Sequence, residues 1–446
     1  MFAEVRAVIP ALLLGLAMVC QARLPAGPLT SAPRTRSVQI PVQPDVLLVI
    51  LDDVGFADFE QVHTAGHLPN LWALAGQGFR FLNATSNPIC SPTRRSIYTG
   101  NFYAKQSGVP CEPVNALTPP DSLPFLPQSL ASVGYTNALV GKWHVGRWST
   151  GAWEEAPFHR GFDYWRGGSS HAVFGCGGHD YNNWRMAEDG SSVLQFGPYN
   201  PAVARQRFDA LWPVLPGPRF VVYASNLAHS PYHRPPNSLL PGGSSYPGTP
   251  TSRLKYEAMI AALDVQMGQI LANVNLATTV VIVVSDNGTP EDVAADPTHA
   301  KKTTFQGGIR VPMFIVGAGI PSGETYALAH VADIFATVCE LAGATPPAGL
   351  DSRSLMPLVH GTAVKVHDYV ASGVDSFEPL FDLDLAARSL RYKLRRVTDR
   401  KLGTGVTHEE FYDLLADPLE TINLIGDPTL QAKIAAHRAV IDAEFQ

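Results

Sequence analysis

The run "DVLLVILDDVG", which covers Asp45–Gly55, is the clearest indication of the fold in this sequence. It is a short, continuous apolar run that ends in two acidic residues, Asp52 and Asp53. Such a run predicts a β-strand that is buried on both faces, as in a parallel sheet covered by helices. The two carboxylates would then stand at the carboxyl end of the strand, where open α/β sheets build their sites.

The same apolar pattern returns along the chain, around Phe220–Ala224 ("RFVVYASNLAH"), Thr278–Gly288 ("TTVVIVVSDNG") and Val311–Gly319 ("VPMFIVGAG"). Helical patterns lie between these runs, at Ser252–Val274 and His330–Ala342. Strands that alternate with helices predict an α/β fold with a large mixed, mostly parallel sheet sandwiched by helices.

The pattern changes after about residue 360. "SLRYKLRRV" alternates like a half-exposed strand, and "EEFYDLLADPLETINL" follows. We therefore expect a catalytic domain over residues 45–363 and a small α+β subdomain over residues 364–446.

The composition is that of a globular protein. Hydrophobic residues make up 46% of the 446 residues and charged residues 16%, which excludes a disordered chain. The net charge is -6 and no basic stripe is present, so nothing favours nucleic-acid binding.

The N-terminus has the pattern of an export signal. Arg6 precedes the apolar run "AVIPALLLGLAMVC", and small residues suit cleavage after Ala22. This predicts a signal peptide over residues 1–22, a leader over residues 23–44, and a periplasmic or secreted protein. The run is short for a stable membrane span, and a lipoprotein cleavage at Cys20 fits its neighbours poorly.

Export would leave four cysteines in the mature chain. An oxidising compartment permits a disulfide, and the sequence chooses no pair among Cys111, Cys176 and Cys339. The fourth, Cys90, differs from these three because of its neighbours.

A second apolar run also ends in polar residues, Asp286 and Asn287. Carboxylates that converge with Asp52 and Asp53 at one sheet edge would repel one another unless a cation lay between them. Carboxylate and amide oxygens suit calcium or magnesium better than zinc. We therefore predict a divalent metal site and favour calcium.

Cys90 lies in "PICSPTRRSIYTG", at the predicted start of a helix. A helix N-terminus attracts an anion, and Arg94 would add a forked donor to it. A thiol suits this place badly, because it is prone to oxidation after export and is a poor partner for an oxygen-binding cation.

The segment Cys90-Ser91-Pro92-Thr93-Arg94 resembles the signature of the type I sulfatases, which belong to the alkaline phosphatase superfamily. The resemblance implies an alkaline phosphatase-like fold. It also implies that a formylglycine-generating enzyme converts Cys90 to Cα-formylglycine, an aldehyde that is hydrated in the active site.

Further segments carry the same resemblance. "LLVILDDVGFADF" and "VVSDNG" resemble the two metal-binding segments, although Ala57 replaces a common glycine. "GYTNALVGKWHVG" supplies Lys142 and His144. "SRSLMPLVHG" and "YDLLADPLETINL" resemble later family segments.

Two segments leave a choice of residue. "NLAHSPYHRP" supplies His229, which we prefer by register over His233. "KKTTFQGGIRVP" supplies Lys301, with Lys302 as its competitor, and Gln306 replaces the usual glutamate.

The resemblance implies a role for each residue. The metal ligands would be Asp52, Asp53, Asp286, Asn287 and residue 90 in its modified form. The catalytic residues would be Cys90, Arg94, Lys142, His144, His229 and Lys301. In this scheme Arg94 holds the hydroxyl of residue 90, and His144 is the base that releases sulfate.

These patterns predict a sulfatase that hydrolyses a sulfate monoester of a small molecule or carbohydrate. The alternatives are a phosphonate or phosphate ester hydrolase on the same fold, and a non-catalytic calcium-binding relative.

Overall fold

The computed structural model describes residues 43–103, 119–145, 153–168, 180–375, 382–399 and 403–445. The strands are β1 (Asp45–Leu51), β2 (Phe79–Thr85), β3 (Thr136–Gly141), β4 (Tyr164–Gly167), β5 (Asn183–Glu188), β6 (Ser191–Phe196), β7 (Arg219–Ala224), β8 (Thr279–Ser285), β9 (Met313–Gly317), β10 (Gly323–His330), β11 (Val370–Val374), β12 (Leu383–Arg388), β13 (Tyr392–Thr398) and β14 (Thr407–Asp413). The helices are α1 (Phe56–Thr64), α2 (Pro69–Gln77), α3 (Cys90–Thr99), α4 (Leu126–Ala131), α5 (Asn200–Leu211), α6 (Ser252–Leu271), α7 (Gln306–Ile309), α8 (Asp333–Ala342), α9 (Met356–Val359) and α10 (Gln431–Glu444).

Strand β1 is buried on both faces, as its continuous apolar sequence predicts. Val46, Leu48 and Ile50 belong to one apolar cluster of the core. The residues between them, such as Leu47 and Val49, belong to a second cluster on the opposite face. Because successive strand residues point to opposite faces, β1 separates two helix-covered layers.

The described strands of the large sheet lie in the order β10-β2-β9-β8-β1-β7-β3-β4-β5-β6. The central strands β8, β1, β7 and β3 are mutually parallel, which confirms the predicted α/β fold with a mostly parallel sheet. Their carboxyl ends therefore meet at one edge.

Strand β9 runs antiparallel to β8, with Val284 opposite Met313. The chain between these two residues therefore leaves and re-enters the sheet at the same edge. This arrangement keeps residues 286–312 beside the carboxyl ends of the central strands.

The predicted helix at His330–Ala342 begins later than expected. His330 is the last residue of β10, which pairs with β2, and helix α8 begins at Asp333. Val331 and Ala332 form the buried turn between the strand and the helix, and so short an apolar run fits a helical pattern equally well.

The C-terminal part forms a separate antiparallel sheet in the order β11-β12-β13-β14. Helix α10 packs Ile434 and Ile441 into the apolar cluster of this sheet. The fold class with a second, smaller α+β layer is thus confirmed, while the division at residues 363 and 364 stays a prediction.

The predicted signal peptide, nearly all of the leader, Cys111 and Cys176 lie outside the described residues. Within the described ranges, no helix has the length and apolarity needed to cross a membrane.

Candidate active site

The carboxyl ends of three parallel strands bring charged residues together. Asp52 follows β1 and Asp286 follows β8, and the Asp286 amide donates to the Leu51 carbonyl over 3.0 Å. Lys142 follows β3, and its amide donates to the Ala224 carbonyl over 2.9 Å. The strand register therefore places two acids and a base at one edge of the sheet.

Asp53 and Asn287, which follow the two acids in the chain, bond to each other. Asp53 has a left-handed backbone conformation, with φ of 64°. Its amide donates to Asp286 Oδ1 over 3.2 Å, and its Oδ1 accepts from Asn287 Nδ2 over 2.8 Å. Tyr256 Oη donates to the Asp53 carbonyl over 2.7 Å. Aspartate tolerates this backbone region better than most residues, and these contacts hold it there.

Buried cations surround the carboxylates. Lys142 Nζ lies 2.7 Å from Asp52 Oδ2, and neither side chain is exposed. Arg94 donates through Nε to Asp286 Oδ2 over 2.9 Å, and its Nη2 lies 2.8 Å from the same oxygen. Fully buried charged groups need partners of opposite charge, because the desolvation of an unpaired ion is costly.

Two buried oxygens in this group have no hydrogen-bond partner among the described residues, namely Asp52 Oδ1 and Asn287 Oδ1. Burial, opposed by Lys142, raises the pKa of Asp52 to about 7. Asp52, Asp53 and His229 each offer a ligand atom, and these atoms lie within 4.8 Å of one another. Buried oxygens that lack donors are what a cation would satisfy, so the residues present fit an oxygen-binding divalent metal.

Cys90 is the first residue of helix α3, which carries Pro92 in its first turn and ends at Gly100 with φ of 68°. The predicted helix start is confirmed. Cys90 is 6% exposed, and its Sγ lies 3.1 Å from His144 Nδ1. Burial raises the pKa of the Cys90 thiol, although Lys142 opposes the effect. The thiol is therefore a poor thiolate nucleophile.

His144 lies beside Cys90 because it follows β3 by three residues and has a left-handed backbone, with φ of 49°. Burial lowers the pKa of His144 well below its usual value, and the charge of Lys142 adds to the effect. A neutral imidazole beside residue 90 is able to accept a proton.

The structure brings His229 to the site and leaves His233 aside. His229 Nε2 lies 3.8 Å from Asp53 Oδ2. Its Nδ1 donates to the Ser230 carbonyl over 2.8 Å, which makes Nε2 the acceptor nitrogen of the neutral ring. His233 instead contacts the Tyr199 hydroxyl at 2.8 Å.

The structure also places Lys301 at the site. Lys301 Nζ contacts Asp53 Oδ1, whereas Lys302 Nζ donates to Glu291 over 2.7 Å. Burial opposes the charge of Lys301, but Asp53 outweighs it and raises the pKa of Lys301. Each predicted site residue thus contacts at least one other predicted site residue.

Sequence reasoning did not identify two tyrosines that hold this group in place. Tyr256 binds the Asp53 carbonyl, as described above. The Tyr181 hydroxyl lies 2.5 Å from the Asn226 carbonyl and 2.7 Å from the His229 carbonyl. Both contacts go to backbone atoms, and no sequence pattern reports such contacts.

Solved structures share this fold. One was solved in complex with k-i-k-neocarrahexaose, with a TM-score of 0.73, 21% identity, and coverage of 91% of this chain and 94% of that chain. Another was solved in complex with its substrate D-glucosamine-2-N,6-O-disulfate, with a TM-score of 0.69, 17% identity, and coverage of 90% and 97%. At these identities the likeness shows the fold alone, which is the alkaline phosphatase-like fold expected from the sequence.

Comparison of the sequence with known proteins identifies the family. The profile of the Sulfatase family matches residues 44–344, so the chain belongs to the sulfatase family, and its curated relatives bear the names of sulfuric ester hydrolases. Human N-acetylgalactosamine-6-sulfatase is 30% identical over 359 residues, which cover 71% of this chain and 66% of that protein. Bovine arylsulfatase A is 28% identical over 440 residues, with coverage of 86% and 83%. The chain thus spans just under two thirds of the length of the human enzyme.

Proposed function

We propose that the protein hydrolyses a sulfate monoester through residue 90, after conversion of Cys90 to Cα-formylglycine. The observation that carries the proposal is the position of Cys90. It lies at a helix start, 3.1 Å from the imidazole of His144, and the charges of Lys142 and Lys301 act on it. A buried thiol with a raised pKa is unsuited to attack, whereas a hydroxyl at this place would face both a base and cations.

The hydrated aldehyde of residue 90 would carry two hydroxyl groups. One oxygen bonds to sulfur while the bond between sulfur and the alcohol oxygen breaks, and the alcohol leaves with a proton. His144 then takes the proton of the second hydroxyl, the carbonyl re-forms, and sulfate leaves. Water restores the hydrate, so the cycle consumes one water molecule for each ester.

Arg94, Lys142 and Lys301 would stabilise negative charge during these steps. Arg94 is fully buried and would orient the hydroxyl of residue 90, and the two lysines would contact the sulfate oxygens. Lys301 is the better placed donor to the leaving alcohol. His229 directs the hydrogen of Nδ1 to the Ser230 carbonyl, and burial lowers its pKa to about 4.

A divalent metal, which we propose is calcium, would be held by Asp52, Asp53, Asp286 and Asn287. It would lower the pKa of the attacking hydroxyl and offset charge on the sulfate group. The two buried oxygens without hydrogen-bond partners among the described residues, on Asp52 and Asn287, support this placement.

The substrate, maturation and location of the protein are part of the proposal. A sulfated carbohydrate or small molecule is the expected substrate, in line with the disulfated glucosamine bound by one structural neighbour. The expected maturation partner is a formylglycine-generating enzyme, and the N-terminal pattern favours export.

The test is a tryptic mass spectrum of the Cys90 peptide from protein co-expressed with a formylglycine-generating enzyme. We expect a loss of about 18 Da relative to cysteine, the change that creates the nucleophile. The modified protein is then assayed on sulfate, phosphate and phosphonate esters. An unmodified cysteine, or faster turnover of phosphonates than of sulfates, contradicts the proposal.

A further inference from the structure

Residues 301–308, which we name the Lys301 segment, run beside the candidate site, where Lys301 contacts Asp53. The Lys301 amide donates to the Thr289 carbonyl over 2.8 Å, and the Lys302 amide donates to the Pro88 carbonyl over 2.9 Å. The segment therefore bonds both to the chain that carries Asn287 and to the chain that leads into Cys90.

The far end of the segment packs against the same loop. The Gly288 amide donates to the Gly308 carbonyl over 2.8 Å, and the Thr289 amide to the Gly307 carbonyl over 2.9 Å. A Cβ atom on Gly288 would lie 1.9 Å from the Gly307 carbonyl oxygen. The backbones of the two segments are in direct contact here, so a shift of the Lys301 segment would also shift Gly288 and Thr289, which follow Asn287.

Side chains of two strands of the C-terminal sheet, and of the chain that follows β14, hold the other side of the segment. Asp384 of β12 accepts from the Thr304 amide over 2.9 Å and from its hydroxyl over 2.5 Å. Lys393 of β13 donates to the Thr304 carbonyl over 2.5 Å. Glu420 accepts from the Gln306 amide over 2.6 Å. Each of these contacts goes to a main-chain group or to the Thr304 hydroxyl, so together they fix the path of the chain.

Lys393 and Glu420 also pair with each other in the interior. Lys393 Nζ contacts Glu420 Oε1, and the two residues are 0% and 2% exposed. Glu420 has a left-handed backbone, with φ of 59°. A buried ion pair contributes little net stability compared with apolar residues of the same volume, so its presence invites another explanation.

We propose that Lys393 and Glu420 are positioning residues of the active site. They hold the Lys301 segment so that the amine of Lys301 reaches the reacting group. The inference rests on the proposed function, because it needs Lys301 to act on the substrate. The main-chain amide of Gln306, in the same segment, is bound by Glu420, which follows β14 in the chain.

The test compares Glu420→Gln with the same change at Glu409 of β14 in the C-terminal sheet. Among the described residues, Glu409 pairs with Arg396 and Arg438 rather than with the Lys301 segment, so Glu409→Gln is the control. The double variant Lys393→Met with Glu420→Gln removes both charges of the pair together, so neither partner is left as an unpaired buried ion.

We measure kcat and KM on 4-nitrophenyl sulfate, or on the best ester of the screen, together with hydrogen–deuterium exchange of the peptide that covers the Lys301 segment. Glu420→Gln and the double variant are expected to lower kcat about tenfold or more and to change KM by less than about twofold. Exchange of the segment should accelerate in both variants and stay at the wild-type rate in Glu409→Gln.

An equal loss of kcat in Glu409→Gln, or an unchanged kcat despite faster exchange, overturns the inference. Failure of the proposed function has a different outcome, because the modified wild-type protein would then hydrolyse no sulfate ester. In that case exchange alone decides whether the ion pair holds the segment, and an unchanged rate rejects that role.

Discussion

Two regions of this protein concentrate charge, and they satisfy it differently. At the edge of the large sheet, Asp52 is buried beside Lys142, yet its Oδ1 has no hydrogen-bond partner among the described residues. In the C-terminal sheet, both oxygens of Glu409 are occupied, one by Arg396 at 2.9 Å and the other by Arg438 at 2.6 Å.

The difference separates a binding group from a structural one. Acids whose oxygens are all occupied by the protein's own donors have no capacity left for a ligand, and such partly exposed pairs contribute only about 0–1 kcal/mol each. Acids that keep a buried oxygen without a donor are costly until something binds them. The carboxylates at the edge of the large sheet can therefore still bind a ligand, whereas Glu409, which is held by Arg396 and Arg438, has no oxygen left for one.

The largest effect is expected from Cys90→Ala, with Cys339→Ala as its control. Cys90→Ala removes the nucleophile, so turnover should fall to background while the circular dichroism spectrum stays unchanged. Cys339 is buried in the core with 0% exposure and lies outside the site. Its loss should cost about 1 kcal/mol of stability and leave kcat intact. Turnover that Cys90→Ala retains, or that both variants lose equally, would contradict the role of residue 90 as the nucleophile.

The next effect is expected from His144→Ala, which removes the base beside residue 90. The first half of the cycle should still proceed, so sulfate should remain on the protein. Intact mass after incubation with substrate should rise by about 80 Da, as expected for a trapped covalent intermediate. A variant that turns over normally, or one that shows no added mass, argues against His144 as the base.

A smaller effect is expected from Asp53→Asn, which removes one negative charge from the proposed metal site. Calcium affinity, measured by titration calorimetry, should fall about tenfold or more, since such sites depend on ligand charge. Glu409→Gln is the matched control and should bind calcium as the wild type does. Equal affinities in the two variants would contradict the role of Asp53 as a metal ligand.

Much of the fold could be predicted because its strands are unusually simple. β1 and β8 are apolar on both faces, so their sequences leave little choice other than central strands of a covered sheet. Since parallel strands share an edge, Asp52 and Asp286 could be placed together from the sequence alone. The turn at Gly100 likewise marks the end of α3.

Other features could not be predicted, because they depend on contacts between distant segments. The antiparallel direction of β9 follows from its pairing with β8, and its own sequence reads like that of a parallel strand. Lys393 and Glu420 look like surface charges in the sequence, yet both are buried against the Lys301 segment. Tyr181 and Tyr256 contact backbone groups, which leave no trace in a motif.

The burial of Cys90 has a consequence for how the protein is made. Only 6% of this residue is exposed, and it begins a helix whose side chains from Cys90 to Thr99 are all buried. A modifying enzyme that must bind the residues around Cys90 therefore has access to them only while the chain is still unfolded. If the conversion proceeds as proposed, maturation and folding compete in time, and a chain that folds first stays inactive until it unfolds again.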